Sequence, residues 1–199
     1  MARKVDHEQR RREIAEKAMR LFSQVGYDNV SLIMIAAASG VSRTALYQYF
    51  CSKQEVLDAA IKEVTARIEA RCRRVLVSKK SCVAKLEGSC HCVVDVMFEN
   101  KDFLVAVFDF VVAMVRTGAD MNGRIRVFTS GTRRTIRRLV AQGRRRGEFA
   151  EILDLDRATD ALYSGFESCA MRIVLGNEKT SEAAKTRFSD VIKALSAWR

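Results

Sequence analysis

A short run of residues after Val41 carries side chains that could read DNA bases. Arg43 offers two parallel donors that match the edge of guanine, and Gln48 offers a donor and an acceptor that match adenine. Thr44 and Tyr47 can donate to phosphate oxygens or contact the methyl group of thymine. These groups recognise DNA only if a helix presents them together.

The residues around this run predict two short helices joined by a sharp turn. Ser31 is placed to cap a helix that begins near residue 31, and Ser39-Gly40 supplies the turn that ends it. Ser42 then caps a second helix, which we place roughly at Arg43 to Phe50. This layout is typical of a helix-turn-helix DNA reader.

The second helix has an inward side and an outward side. Ala45, Leu46 and Phe50 fall on the inward side, which leaves the hydrogen-bonding residues pointing elsewhere. Tyr49 lies next to Phe50, so packing in the core and contact with a phosphate are both open for it. After it, Ser52-Lys53-Gln54-Glu55 has the spacing of a capping box, so a third helix starts there with Lys53 beside its positive end, where a phosphate would bind.

This segment, with the helix before it, resembles the N-terminal domain of the tetracycline-repressor (TetR) family of bacterial transcription regulators. A single departure is Cys51, where relatives often have Pro, Gly or a charged residue. The resemblance implies that residues 42 to 49 enter the major groove, with Ser31 and Lys53 on phosphates. The matching residues are Ala18, Leu21, Phe22, Gly26, Tyr27, Ser31, Ile35, Ala36, Gly40, Val41, Ser42, Ala45, Leu46, Tyr47, Tyr49, Phe50, Ser52, Lys53 and Leu57.

Composition favours an all-α protein with a polyanionic partner. The chain has no Pro and only 10 Gly in 199 residues, and its formal net charge is +11. The helix-turn-helix selects DNA over a membrane surface as the polyanion. The segments Ala2-Arg3-Lys4 and Arg10-Arg11-Arg12 would extend the basic footprint on DNA, or else form a solvated start of the chain.

No apolar run opens the chain, so we expect no secretory signal, and its longest apolar stretch is too short to span a bilayer. That stretch, 103 to 115, is interrupted by Asp109. We therefore expect a cytoplasmic protein with no membrane contact, divided into a helix-turn-helix domain over residues 1–52 and a helical effector-binding and dimerisation domain over residues 53–199.

Beyond residue 52 the sequence is a series of amphipathic helices that could enclose a small apolar effector. We expect helices at about 83 to 98, 103 to 115, 123 to 147 and 156 to 175. Asp109 lies seven residues from both Asp102 and Arg116, so the three share one face of their helix. The leading interpretation is that this face is a narrow stripe exposed to solvent. The minor one is that Asp109 is a ligand-binding carboxylate. The predicted pocket residues are Val94, Phe98, Phe108, Asp109, Val112, Phe128 and Phe166.

The helix from 123 to 147 is dense in arginine but keeps an apolar side. The arginines are therefore expected to form a solvated face, with binding of an acidic ligand or a phospholipid as the alternative.

The last two helices are strongly amphipathic and resemble the pair through which TetR-family regulators form a four-helix bundle with a second copy. Packing within one chain is the alternative. We favour dimerisation because one short recognition helix gives too little base contact, whereas two copies reach the half-sites of a palindromic operator. The predicted dimer interface comprises Leu162, Phe166, Cys169, Ile173, Phe188, Val191, Ile192 and Leu195.

The six cysteines predict neither a disulfide framework nor a metal site. Cys90 and Cys92 would point to nearly opposite sides of a helix, so buried free thiols are favoured over metal or redox sensing. The chain also lacks a nucleophile elbow, a phosphate-binding glycine loop and a metal-binding His pair. We expect neither catalysis nor a cofactor.

Together these patterns predict a homodimeric, DNA-binding transcriptional regulator, most simply a repressor released from its operator by a small apolar effector. The alternatives are an architectural DNA binder, and a basic helical protein that binds a membrane surface or a protein partner without sequence-specific DNA binding.

Overall fold

The computed structural model describes residues 2–118, 121–151 and 154–197, and the side chains of 6–118, 129–151 and 154–196. This part of the chain is all-α and contains no strand, as the sequence predicts. Its helices are α1 (Ala2–Val25), α2 (Leu32–Ser39), α3 (Arg43–Tyr47), α4 (Lys53–Leu76), α5 (Cys82–Glu99), α6 (Lys101–Arg116), α7 (Met121–Arg145), α8 (Leu155–Val174) and α9 (Ser181–Ala197).

The helices pack as two compact units, which differ from the domains expected from the sequence. The first unit comprises Met1–Thr65 and Asn100–Ile125, and the second comprises Ala66–Glu99 and Arg126–Arg199. The predicted boundary at residue 52 follows the end of the helix-turn-helix motif. Packing instead adds the first half of α4 and the whole of α6 to the N-terminal unit. The sequence motif could not reveal this, because α6 joins that unit through contacts far apart in the chain.

The predicted turn between α2 and α3 is confirmed. The Ser31 hydroxyl accepts the backbone N–H of Met34 at the start of α2, over 3.3 Å. Gly40 ends this helix with φ +67°, a left-handed conformation that costs glycine little. The Ser42 hydroxyl then accepts the N–H of Ala45 and starts α3. Local caps therefore fix the angle at which α3 leaves α2.

Helix α3 is shorter than expected, since it ends at Tyr47 and not at Phe50. Phe50 is fully buried, and its N–H donates to the carbonyl of Leu46. Burying a Phe side chain contributes about 1.5–3 kcal/mol. The chain therefore turns inward after Tyr47.

The start of α4 has the predicted capping box with one difference. The Glu55 N–H donates to the Ser52 hydroxyl over 3.1 Å. The Glu55 carboxylate reaches back to the N–H of Cys51 over 2.8 Å, one residue earlier than the usual partner. Both bonds fix the junction between α3 and α4.

The first unit has one apolar core, where α1 packs against α2 and α6. Phe22 of α1 and Phe110 of α6 are both buried against the Tyr27 ring, with centroids 5.2 and 4.8 Å away. Leu46 of α3 and Leu57 of α4 are also fully buried. Helix α3 is thus anchored in this unit by the buried side chain of Leu46.

In the second unit, α5, α8 and α9 pack together, and this corrects the predicted dimer interface. Phe166 stacks on Phe188 with centroids 4.5 Å apart. A side chain buried inside one chain has no surface left for a second copy. Among the predicted interface residues, only Val191 is exposed and Leu195 half-buried; those already buried within the chain are Leu162, Phe166, Cys169, Ile173, Phe188 and Ile192.

A buried carboxylate ties the end of α8 to α9. The side chain of Glu178 is only 3% exposed, and it accepts from the Arg172 guanidinium over 3.2 Å and from Arg187. The N–H of Glu178 also donates to the Arg172 carbonyl. Because buried charges need partners, this residue depends on both arginines.

Replacing Glu178 with glutamine is expected to lower the free energy of unfolding by about 2 kcal/mol, because both arginines lose their charged acceptor. Denaturant titration measures this change. The matched control is Glu182→Gln, whose side chain is 80% exposed beside Lys185 and should cost less than about 1 kcal/mol. Equal effects of the two substitutions would contradict a special role for Glu178.

The remaining helices lie close to their expected ranges, each longer or shorter by one or two residues at an end. No helix in the part of the chain that the structure describes is long and apolar enough to cross a membrane.

Candidate nucleic-acid interface

Helix α3 presents most of the predicted DNA-contacting residues to solvent. Ser42, Arg43, Thr44, Tyr47 and Gln48 are all exposed. Their inward neighbour on this short helix is Leu46, whose side chain is fully buried. A helix with one face in the core and its polar face free has the geometry that entry into the major groove requires.

Two of these residues form a pair on the surface of α3. The guanidinium carbon of Arg43 lies 5.7 Å from the centroid of the Tyr47 ring, one turn further along the helix. Tyr47 is nevertheless 43% exposed. The ring can steady the guanidinium while both remain accessible to DNA.

Tyr49 lies half-buried at the edge of this surface. Its ring stacks on the imidazole of His7, with centroids 4.5 Å apart and planes inclined by 26°. The sequence left core packing and phosphate contact both open for Tyr49, and the structure adds a contact with α1. His7 was not singled out, because a stack between residues 42 positions apart leaves no local pattern.

Ser31 is exposed at the N-terminus of α2, where it caps the helix. A hydroxyl that accepts a backbone N–H still has its own proton to donate, and the first N–H groups of a helix attract anions. Ser31 is therefore placed as a phosphate contact should be.

Lys53 is more constrained than the sequence indicated. Its ammonium donates to the carbonyls of Tyr27 over 2.7 Å and Asp28 over 3.2 Å, and it lies 4.4 Å from the centroid of the Tyr27 ring. An ammonium has three donors, so two of them are used within the protein. Lys53 is the first residue of α4, and its side chain joins this helix to the turn after α1. Its contact with a phosphate stays a prediction.

The basic residues of α1 serve the fold more than the sequence indicated. Arg10 donates to the Ser39 carbonyl over 3.3 Å and pairs with Glu13 over 3.0 Å. Arg11 lies 4.7 Å from the centroid of the Phe50 ring. Arg12 pairs with Glu63 over 3.3 Å. Helix α1 begins at Ala2, and the side chains of Arg3 and Lys4 lie outside the described residues, so the role of the first residues stays a prediction.

Two arginines of α7 are paired with acids of α8. Arg137 Nε lies 2.9 Å from an Asp156 carboxylate oxygen. Arg133 pairs with Asp160 and lies 4.1 Å from the centroid of the Tyr163 ring. This side of α7 is thus partly neutralised within the second unit, which lowers its attraction for an acidic ligand.

The predicted effector-pocket residues are divided between the two units. Val94 and Phe166 are buried and Phe98 half-buried in the second unit, while Phe128, of the same unit, has a side chain outside the described residues. In the first unit Phe108 is half-buried and Val112 is exposed. Asp109 does not face solvent with Asp102 and Arg116, because its carboxylate accepts the backbone N–H of Tyr27.

The cysteines are free thiols in the structure. Burial raises the pKa of the Cys72 thiol to about 12 and also raises the pKa of Cys90. Thiols in such surroundings stay protonated at neutral pH and bind metal poorly. Among the described residues, no group of three or more His, Cys, Asp or Glu side chains could hold a metal ion.

Comparison with known proteins agrees with this geometry. Residues 14–60, which run from α1 into α4, match the family described as "Bacterial regulatory proteins, tetR family". The chain is 35% identical to the HTH-type transcriptional regulator PksA of Bacillus subtilis over 77 residues, 39% of this chain and 38% of that protein. It is 45% identical to the HTH-type transcriptional regulator AcrR of Shigella flexneri over 58 residues, 28% of this chain and 27% of that protein. The similarity thus spans well under half the length of these relatives.

Over most of its length the chain is similar in fold to solved structures. The crystal structure of a TetR-family transcriptional regulator from Rhodococcus sp. superimposes with a TM-score of 0.78, covering 94% of this chain and 99% of that one. Sequence identity is only 19%. The similarity outside the helix-turn-helix is therefore one of architecture.

Proposed function

We propose that this protein is a homodimeric transcriptional regulator that reads DNA with α3. The proposal starts from its N-terminal helices, which match the tetR family of bacterial regulatory proteins. The observation that carries the proposal is the exposed row from Ser42 to Gln48 on a helix whose other face is locked in the core. A regulator of bacterial DNA works in the cytoplasm, where the chromosome lies. Repression is the simplest outcome, because a dimer on an operator blocks access to it.

The dimer surface belongs, in this proposal, to the outward sides of α8 and α9. Leu175, Met171 and Val191 are 63%, 43% and 44% exposed, although all three are apolar. Met171 lies in the last turn of α8 and Leu175 caps its C-terminus; the two are four residues apart and so point to the same side. A twofold pairing through this face would supply the second recognition helix that a palindromic operator requires.

An apolar small molecule is the proposed switch. It would release the operator only if it bound the DNA-incompetent conformation more tightly, since equal affinity for both conformations changes nothing. The residues lining its site stay predictions from the sequence. A thermal-shift screen of apolar compounds tests this part of the proposal, and a compound that raises the melting temperature should also release DNA.

Selection of bound sequences from random duplexes tests the DNA-reading role. The expected product is a duplex with two inverted half-sites, which we call the operator duplex. Recovery of unrelated sequences at every round would contradict sequence-specific reading and would favour an architectural role.

The exposed thiol of Cys51 gives a test of where DNA lies. Cys51 directly follows the segment that carries α3, whereas the half-buried Cys92 lies on α5 in the second unit. Binding of the operator duplex is expected to slow maleimide labelling of Cys51 in proportion to the bound fraction, because DNA covers that surface. Mass spectrometry of each cysteine measures the rates. An unchanged rate for Cys51, or equal protection of Cys92, would place DNA elsewhere.

A further inference from the structure

The turn between α1 and α2 is held from three sides of the first unit. Gly26 ends α1 with φ +87°, and Tyr27 follows with its ring buried between Phe22 and Phe110. Lys53, the first residue of α4, donates a hydrogen bond from its ammonium to the Tyr27 carbonyl. Only three residues separate Tyr27 from Ser31, the cap of α2. The position of this turn therefore sets where α2 starts and where α4 starts.

Helix α6 makes the third set of contacts with this turn, and its Asp109 bonds to the backbone. Its carboxylate accepts the backbone N–H of Tyr27. The same oxygen lies 3.5 Å from where a Cβ on Gly26 would be, so the carboxylate sits directly against the turn. Phe110, the next residue of α6, packs its ring edge-on against Tyr27. Two adjacent residues of α6 thus contact Tyr27 of the first unit: Asp109 bonds to its backbone and Phe110 packs on its ring.

The contact is worth more than an ordinary surface hydrogen bond. Tyr27 is 3% exposed, so its N–H has little access to water if the acceptor is removed. A buried donor that loses its partner keeps its full desolvation penalty, and a charged acceptor makes the bond stronger. The turn would relax to find another acceptor, and Ser31 and Lys53 would move with it.

We infer that Asp109 is a positioning residue for DNA binding: its carboxylate holds the turn at Tyr27 so that the starts of α2 and α4 face the DNA backbone together. The inference rests on the proposed function and deepens it. Asp109 touches no DNA in this account. It acts on affinity through the phosphate contacts that the turn arranges.

Two variants without an acceptor, Asp109→Ala and Asp109→Leu, test the inference alongside Asp109→Asn, which keeps one. Each acceptor-less variant is expected to bind the operator duplex about tenfold more weakly, equivalent to about 1.4 kcal/mol. The slope of log K against log salt should also become shallower by about one, because a phosphate contact is lost. Asp109→Asn should keep the affinity and the slope of the unmodified protein.

The direction of the change separates positioning from charge. In a protein of formal net charge +11, removing an acid by itself favours DNA. Asp102→Ala, at an exposed acid of the same helix, is therefore the matched control and should bind the operator duplex no more weakly than the unmodified protein. A variant that only loses stability lowers the active fraction but leaves the salt slope unchanged.

Amide hydrogen exchange of the free protein gives a readout that needs no DNA. The Tyr27 amide is expected to exchange faster in Asp109→Ala and Asp109→Leu, and at the original rate in Asp109→Asn. Unchanged exchange, unchanged or tighter binding in both acceptor-less variants, or equal weakening by Asp109→Asn would overturn the inference. If the unmodified protein shows no preferred duplex, the proposed function fails and with it a role in DNA binding, while exchange still shows whether Asp109 holds the turn.

Discussion

Arg43→Ala is expected to weaken binding to the operator duplex by about ten- to a hundredfold, the equivalent of losing one bidentate base contact of about 1–3 kcal/mol. The guanidinium stands exposed on α3 beside the Tyr47 ring, which is itself 43% exposed. The melting temperature should therefore stay within about 2 °C of the original. Fluorescence anisotropy at fixed salt measures the affinity, and circular dichroism measures the melting temperature.

Two controls separate base reading from charge in this experiment. Arg43→Lys keeps the charge but loses the planar pair of donors, so it should lose preference for the selected base at that position. Arg20→Ala removes an equal charge from an exposed site on α1 and should weaken binding less than about threefold. Loss of affinity of the same size in Arg20→Ala and Arg43→Ala would show that α3 contributes only charge.

Introducing glutamate at both Met171 and Leu175 is expected to convert the dimer to a monomer at micromolar concentration. Both side chains are exposed and apolar and lie four residues apart at the C-terminal end of α8, and burying two like charges against their copies across a twofold axis is strongly unfavourable. Affinity for the operator duplex should then fall at least about a hundredfold, because one recognition helix reads only a half-site. Sedimentation velocity measures the mass.

The control for this variant is Val77→Glu, which changes a 76% exposed apolar residue between α4 and α5. It should leave the mass and the DNA affinity unchanged. A dimer that survives both substitutions on α8 would place the interface on another surface. A protein that is monomeric before any substitution would remove the basis for two half-sites.

The features that the sequence predicted well are those set by neighbours in the chain. Ser31, Ser42 and Ser52 each cap a helix by accepting an N–H three residues later, so residue type and spacing were enough to place the starts of α2, α3 and α4. The turn at Gly40 is predictable for the same reason, because only its own backbone conformation is involved.

The features that escaped prediction depend on contacts between distant residues. Asp109 and Tyr27 are 82 positions apart, and no periodicity in either segment records their hydrogen bond. Arg10 bonds to the Ser39 carbonyl 29 positions away and looks, in the sequence, like a free basic residue. Spacing on one helix shows which residues share a face, but it does not show what that face meets.

The dimer interface illustrates the same limit. An amphipathic stripe indicates that a face is buried, and Phe166 and Phe188 are indeed buried, but against each other within one chain. Two of the apolar residues available to a second copy, Met171 and Leu175, lie off that stripe, whereas Val191 belongs to it. Sequence periodicity cannot separate burial inside a chain from burial between chains, because both remove apolar area from water in the same way.

Binding of the operator duplex and of a duplex with one scrambled half-site, compared at the same salt, tests the central claim most directly. If two copies of α3 read two half-sites at once, the complex contains two protomers and the scrambled duplex binds at least about a hundredfold more weakly. Equal affinity for the two duplexes, with a single protomer bound to each, would contradict the account.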